Sequence, residues 1–328
     1  MKKAVLSLFV ALMATVAVQA QQISVVAEDG TTTTLYHTLQ EAIEGASPNS
    51  VIYLPGGGFA ISDDVTINKK LTIIGIGYDA KNDNVDGITT ISGNLFFEEG
   101  SNGSAVMGCY FTGGVYIAYN SKDTAVNGVW VKYCNVSVID VYNQNCSGTV
   151  IEQNYIRDWI SCSRSEVTIC NNIVPRILWA GSGIVSNNIF TFEGRSGYYS
   201  DSPTLSNIDN TTIKNNIFRS GLIHTGSNCP TSNNLVVGGD SWGDAPVEIT
   251  VTAEDLFVDY NNWEVSTNSD FHFKEAYKNY ESKVGIYAGT GFSKKGMAPV
   301  PYIVAKQVAE QTDASGNLNI KIRVSAGE

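Results

Sequence analysis

Ile169-Cys170-Asn171-Asn172-Ile173-Val174 is followed sixteen residues later by Val185-Ser186-Asn187-Asn188-Ile189-Phe190, and these two hexapeptides decide the fold. In both, one apolar residue stands three positions before an Asn and another stands two after it. The pattern recurs at Ile151 to Ile156 around Asn154 and at Ile213 to Phe218 around Asn216. It extends through Thr231 to Val236 around Asn234 and Val258 to Trp263 around Asn261. Val106 to Phe111 and Val131 to Val136 carry Cys109 and Cys134 in the Asn place, and Ile91, Asn94 and Phe96 form a weaker copy.

Side chains alternate along a straight strand, so two apolar positions five residues apart cannot share one of its faces. A bend must separate them. Asn suits a bend because it tolerates left-handed backbone and its amide bonds groups that a turn leaves unpaired. From Cys109 onward the steps between equivalent sites are 25, 20, 18, 16, 28, 18 and 27 residues, the length of one solenoid coil with loops enlarging some coils. No coil buries its apolar face alone, and stacking puts each Asn above the next. The expectation is an all-β chain, a right-handed parallel β-helix with an internal ladder of Cys109, Cys134, Asn154, Asn172, Asn188, Asn216, Asn234 and Asn261. The two Cys read as small buried ladder substitutes rather than as metal ligands or catalytic thiols.

Ahead of the coils, Thr38-Leu39-Gln40-Glu41 has capping-box spacing, and Leu39, Ala42 and Ile43 fall on one helical face before Gly45. The spacing predicts a short helix capping the open end. Strand-like runs broken by Pro and Gly follow at Val51 to Pro55, Val65 to Ile67 and Leu71 to Gly77. At the other end, Leu318, Ile320, Ile322 and Val324 alternate with polar residues after a turn near Gly316, which predicts a hairpin with Tyr302 to Val308. Its expected role is to cover the C-terminal edge of the solenoid; the sharper reading is a docking edge for a protein partner.

The stretches Thr38 to Ile43, Ile52 to Gly56 and Lys70 to Gly75 together resemble the opening of the pectin-lyase-like superfamily of right-handed parallel β-helices. Asp270-Phe-His-Phe-Lys274 and Val284 to Gly289 resemble the closing segment of secreted β-helix proteins from Bacteroidetes. The resemblance runs from about Leu35 to Pro301 and implies the fold; its members include lyases, glycosidases, adhesins and proteins with no known activity, so it does not choose a function.

Met1-Lys2-Lys3, an apolar run from Ala4 to Val18 and Val18-Gln19-Ala20 read as a cleavable leader, residues 1–20, with no Cys at the cut to carry a lipid. The boundaries are then 21–301 for the β-helix and 302–328 for the hairpin, in a secreted, periplasmic or surface protein without a transmembrane segment. The net charge of −11 and pI near 4.8 argue against nucleic acid as a partner. Six Cys show neither a disulfide framework nor a metal-binding spacing.

Chemistry is sparse. A lyase of this fold implies Asp groups on consecutive coils, often with calcium, beside an Arg or Lys base; Asp140 and Asp158 lie near such positions without forming a clear set. The Gly-His-Gly segment of the glycosidases of this fold is absent. What remains is Arg157 and Arg219, each three residues past its Asn, and Arg176, four past Asn172. Trp159 and Trp179 fall nearby, with Glu193 the comparably placed acid and Tyr198 and Tyr199 in a longer loop. Arg forks and flat rings suit the grip on an acidic sugar. The opposing reading is that each Arg pairs with Glu152, Asp158 or Glu193 and each Trp packs under a loop. The favoured function is binding of a polysaccharide along one face. The alternatives are a lyase of uronate-containing glycan, with calcium as its cofactor, and a structural or adhesive surface protein.

Overall fold

The computed structural model describes residues 22–60, 64–79, 87–121, 123–193, 203–219, 223–238, 251–309, 311–312 and 315–325. The leader read in residues 1–20 and the loop with Tyr198 and Tyr199 lie outside them. Within them the chain is built mainly of short strands in two large sheets of 11 and 15 strands. The first sheet opens with an antiparallel pair, Ile23–Val26 against Thr33–Tyr36, and Ile23–Val26 is also antiparallel to Val51–Tyr53. From there on both sheets are parallel. Glu166–Cys170, for example, lies between Thr149–Glu152 and Ser182–Ser186 in the first sheet. Ile173–Val174 lies between Tyr155–Ser161 and Ile189–Phe190 in the second.

The strands are short because the repeat bends the chain where the spacing demands it. Ile169 lies in one strand, Glu166–Cys170, and Val174 in the next, Ile173–Val174, both fully buried, and the corner between them is Asn171-Asn172. The corner divides its two tasks between adjacent residues. The left-handed position is the residue before the ladder Asn: Gln153, Asn171, Asn187, Asn215 and Asn233 have φ between 54° and 59°. The expectation that the ladder Asn itself adopts that conformation is therefore corrected. Ladder Asn side chains instead satisfy the backbone that the corner exposes. Asn172 Oδ1 accepts from the Asn154 backbone N–H and Nδ2 at 2.9 and 3.0 Å, and Asn172 Nδ2 donates to Ile151 O at 2.9 Å. The same triad repeats through Asn188, Asn216 and Asn234. At the head of the run Asn154 Oδ1 receives the Cys134 N–H, while the Cys134 and Cys109 thiols lie buried against backbone carbonyls. All six Cys are free thiols.

Two members depart from the expected series. Asn261 lies in a 3-10 turn, Asn261–Trp263, beside the short antiparallel pair Phe257–Asp259 and Asp270–Phe273, and is no part of the ladder. Asn94 sits at a different corner, within the second sheet, where it accepts from the Gly114 N–H and donates to Asp64.

The core inside the sheets is apolar and stacked, with Phe190 and Phe218 face to face at 4.5 Å. A second cluster lies outside it. Tyr155, Ile173, Ile189, Ile217 and Leu235, each one residue past its ladder Asn, point away from the inner core yet are at most 2% exposed. What covers them is the C-terminal part of the chain. After the helix Ala253–Leu256 and the turn Glu275–Tyr280, residues 284–298 run back across the corners. Gly285 N donates to Asn215 O, Asn171 Nδ2 to the carbonyls of Ile286 and Ala288, Thr290 Oγ1 to Glu152, and Ser293 N to Gln153.

This return path moves the hairpin. Met297, Ala298, Val300, Pro301 and Ile303 line one apolar cleft with Gln22, Ser24, Tyr53 and Leu54, at the N-terminal end of the sheets. Tyr302–Val308 pairs with Ile320–Ser325 as a separate two-stranded sheet. The expectation that it covers the C-terminal edge is thus wrong: the chain has travelled back to the opposite end before the hairpin starts. At that end the helix Leu39–Gly45 buries Leu39, Ala42 and Ile43 behind a complete capping box between Thr38 and Glu41. Among the described residues no helix is long and apolar enough to cross a membrane.

Candidate functional site

Just past the ladder corner, consecutive passes through the second sheet bring their outward residues into register. Trp159 pairs with Arg176 on the neighbouring parallel strand. Thr191 to Glu193 follow the strand Ile189–Phe190, and Arg219 follows its parallel neighbour Ile217–Phe218. With Asp158, Pro175 and Trp263 to Val265, these residues and Arg157 line a groove of about 650 Å³. The 3-10 turn supplies the wall: Trp263 is anchored edge-on against Phe257, and Glu264 stands exposed beside it.

The three guanidinium groups are held differently. Arg157 is tied into the fold, donating to Asn135 Oδ1 at 2.5 Å and to the carbonyls of Phe111 and Thr112 at 2.7 and 3.3 Å, over the Tyr110 ring. Arg219 pairs with Glu193 at 3.2 Å and reaches the Thr191 carbonyl at 3.4 Å; its partner is 72% exposed, so that pair is weak and separable. Arg176 lies between two rings, 5.8 Å from Trp159 and 5.5 Å from Phe192, and among the described residues no carboxylate comes within ion-pair distance of it. Two aromatic faces steady the cation without neutralising it. Asp158, exposed on the same rim, accepts a hydrogen bond from the Ser137 hydroxyl.

The structure thus brings together Arg157, Trp159, Arg176, Glu193 and Arg219, and leaves Trp179 out. The register partner of Trp159 is Arg176, so Trp179 lies three residues farther on, past the strand Arg176–Leu178, in a left-handed corner where the residue is 45% exposed. Of the expected pairings only Arg219 with Glu193 occurs; Glu152 pairs with Lys132 at 2.7 Å under the returning segment. Phe192 and Trp263 were not singled out from sequence. Phe192 sits four past Asn188, the offset that marked Arg176, while Trp263, at the end of the pattern around Asn261, lies in a 3-10 turn instead of a ladder corner. Among the described residues no three His, Cys, Asp or Glu side chains gather as a cation would require. His272, outside the groove, stacks on Tyr287 at 3.7 Å and contacts Glu281.

No family model, no curated protein and no solved structure matches this chain.

Proposed function

We propose that this chain is an exported right-handed parallel β-helix, of the kind its sequence resembles in the pectin-lyase-like superfamily, that binds an acidic polysaccharide in the groove around Arg176. One observation carries the reading: a cation with no carboxylate partner among the described residues is held between the Trp159 and Phe192 rings in an open groove. A carboxylate or sulfate on a sugar completes the ion pair, and the flanking rings take up the sugar faces. Neighbouring strands stand about 4.8 Å apart, so the four coils lining the groove span about 14 Å, room for a short run of a linear chain. With an overall charge of −11, attraction to a polyanion is local to this groove rather than spread over the surface.

The test is retention in native gels containing polygalacturonate, alginate or chondroitin sulfate, run beside absorbance of unsaturated uronate in solution. Retention that Arg176→Ala removes supports the reading. Unsaturated product would replace it with a lyase, and neither retention nor product on any of the three polymers would refute it.

A further inference from the structure

Arg219 lines the same groove as Arg176, but its charge is met by the chain's own carboxylate. The strands Ile173–Val174, Ile189–Phe190 and Ile217–Phe218 are successive parallel neighbours, with Val174, Phe190 and Phe218 in register. Arg176 lies two residues past Val174, Phe192 and Glu193 lie two and three past Phe190, and Arg219 lies one past Phe218. Two inter-strand steps, about 10 Å, therefore separate the strands that carry the two cations. Phe192 and Glu193 stand between them. The Phe192 ring is 5.5 Å from the Arg176 guanidinium, and the next side chain, Glu193, reaches Arg219 Nη2 at 3.2 Å.

The two halves of that ion pair are held unequally. Arg219 also donates through Nη1 to the Thr191 carbonyl at 3.4 Å, a neutral acceptor that positions the guanidinium and leaves its charge intact. Its side chain is 30% exposed, against 72% for Glu193. Glu193 is thus the partner that can turn into solvent while Arg219 stays on the groove wall. Little opposes the exchange, since exposed ion pairs are worth at most about 1 kcal/mol.

We propose that Arg219 is a second anion-binding position in the groove, filled in the unliganded chain by Glu193, and that an acidic polymer engages it by displacing that carboxylate. Given the groove reading on which it rests, this position narrows the ligand to a chain carrying two acid groups about 10 Å apart, one for Arg176 and one for Arg219. Glu193 then acts as a filter. A polymer that presents its second acid to Arg219 exchanges one carboxylate for another at near balance. A polymer whose acid groups do not reach Arg219 leaves Glu193 in place and meets it as a like charge.

The experiment is affinity electrophoresis in polygalacturonate at fixed ionic strength, comparing the native chain with Arg176→Ala, Glu193→Gln, Arg219→Ala and the Glu193→Gln/Arg219→Ala double variant, each shown folded by circular dichroism. Glu193→Gln keeps the shape of the side chain and removes its charge, so retention should rise about three- to fivefold, the size of one exposed ion pair. In the Arg219→Ala background the same change should alter retention by less than about twofold, because no cation is left to release. A gain of equal size in both backgrounds overturns the proposal and reduces Glu193 to general repulsion of the polymer. It is also overturned if Glu193→Gln brings no gain while the native chain is retained and Arg176→Ala is not, a result that leaves the groove reading standing. Loss of retention in the native chain and Glu193→Gln alike refutes both.

Discussion

Asn188 Oδ1 accepts two hydrogen bonds from Asn172, one from its backbone N–H at 2.9 Å and one from its side-chain amide at 3.0 Å. Both residues are fully buried, so one side-chain oxygen satisfies a corner that has no water to turn to. Asn188→Leu keeps the volume roughly but orphans the Asn172 N–H and takes away the amide that Asn188 gives to the Ile169 carbonyl. The expected loss is about 3 kcal/mol or more, since each buried group left unpaired costs about 1–3 kcal/mol. Urea denaturation reads it, and a loss under 1 kcal/mol would mean the ladder is dispensable.

The left-handed neighbour can be tested apart from the ladder at Asn233, which has φ 54° and an exposed side chain. Asn233→Gly should be nearly neutral. Asn233→Val should cost about 2 kcal/mol, because a β-branched residue is poorly accommodated at positive φ. Equal stability of the two variants would remove the strain argument.

The repeat was legible because its chemistry is local: a buried apolar residue, a corner, an Asn that bonds the corner above, another apolar residue. The outer cover was legible in part. Apolar residues one past each Asn, Ile173, Ile189, Ile217 and Leu235, announce a second buried face, but what covers them is fixed by contacts over a long stretch of sequence, such as Asn171 with Ile286. Nothing local in Val284 to Ala298 states that it runs backward, so the hairpin was placed at the wrong end. Groove residues were found wherever the offset from Asn matched the true register. Trp179 was misplaced because Arg176, four past its Asn, pairs with Trp159, five past its own.

The groove arginines should separate in their effects. Arg157→Ala removes bonds to two backbone carbonyls and Asn135, and should lower stability by about 1–3 kcal/mol. Arg176→Ala should leave stability within about 0.5 kcal/mol, as for a surface change, while abolishing retention on the acidic polymer. Thermal melts set beside native-gel retention check this, and the opposite assignment of the two losses would contradict the geometry.

Burial pushes the Cys134 thiol up to about 12, from an ordinary value of 9.0, and drives Cys109 up as well. A proton held more tightly by the folded chain stabilises it only while the unfolded chain is protonated too. As pH rises past 9 the unfolded thiols ionise and the folded ones do not, so stability falls from about pH 9 toward pH 12. The denaturation midpoint should drop less steeply between pH 9 and 10.5 in Cys134→Ala than in the native chain. Parallel slopes would show that this thiol is not what the alkaline loss reports.

The returning segment is locked where Gly296 meets Tyr78. The glycine has φ 60°, and a Cβ built on it would lie 1.8 Å from the Tyr78 ring, itself buried and donating through its hydroxyl to Ser293 O at 3.3 Å. Gly296→Ala therefore brings two penalties, left-handed backbone and a clash that the ring cannot relieve without leaving Tyr155, its edge-on neighbour at 5.5 Å. Together they should cost about 3 kcal/mol. The backbone penalty does not depend on the ring and the clash does, so in a Tyr78→Ala background the cost of Gly296→Ala should shrink to about 1–2 kcal/mol. That difference is the coupling between the strap and the face it covers. A cost unchanged by removing the ring would mean that the contact does not hold the segment down, and that the face of Ile189 and Ile217 is covered by the rest of the strap alone.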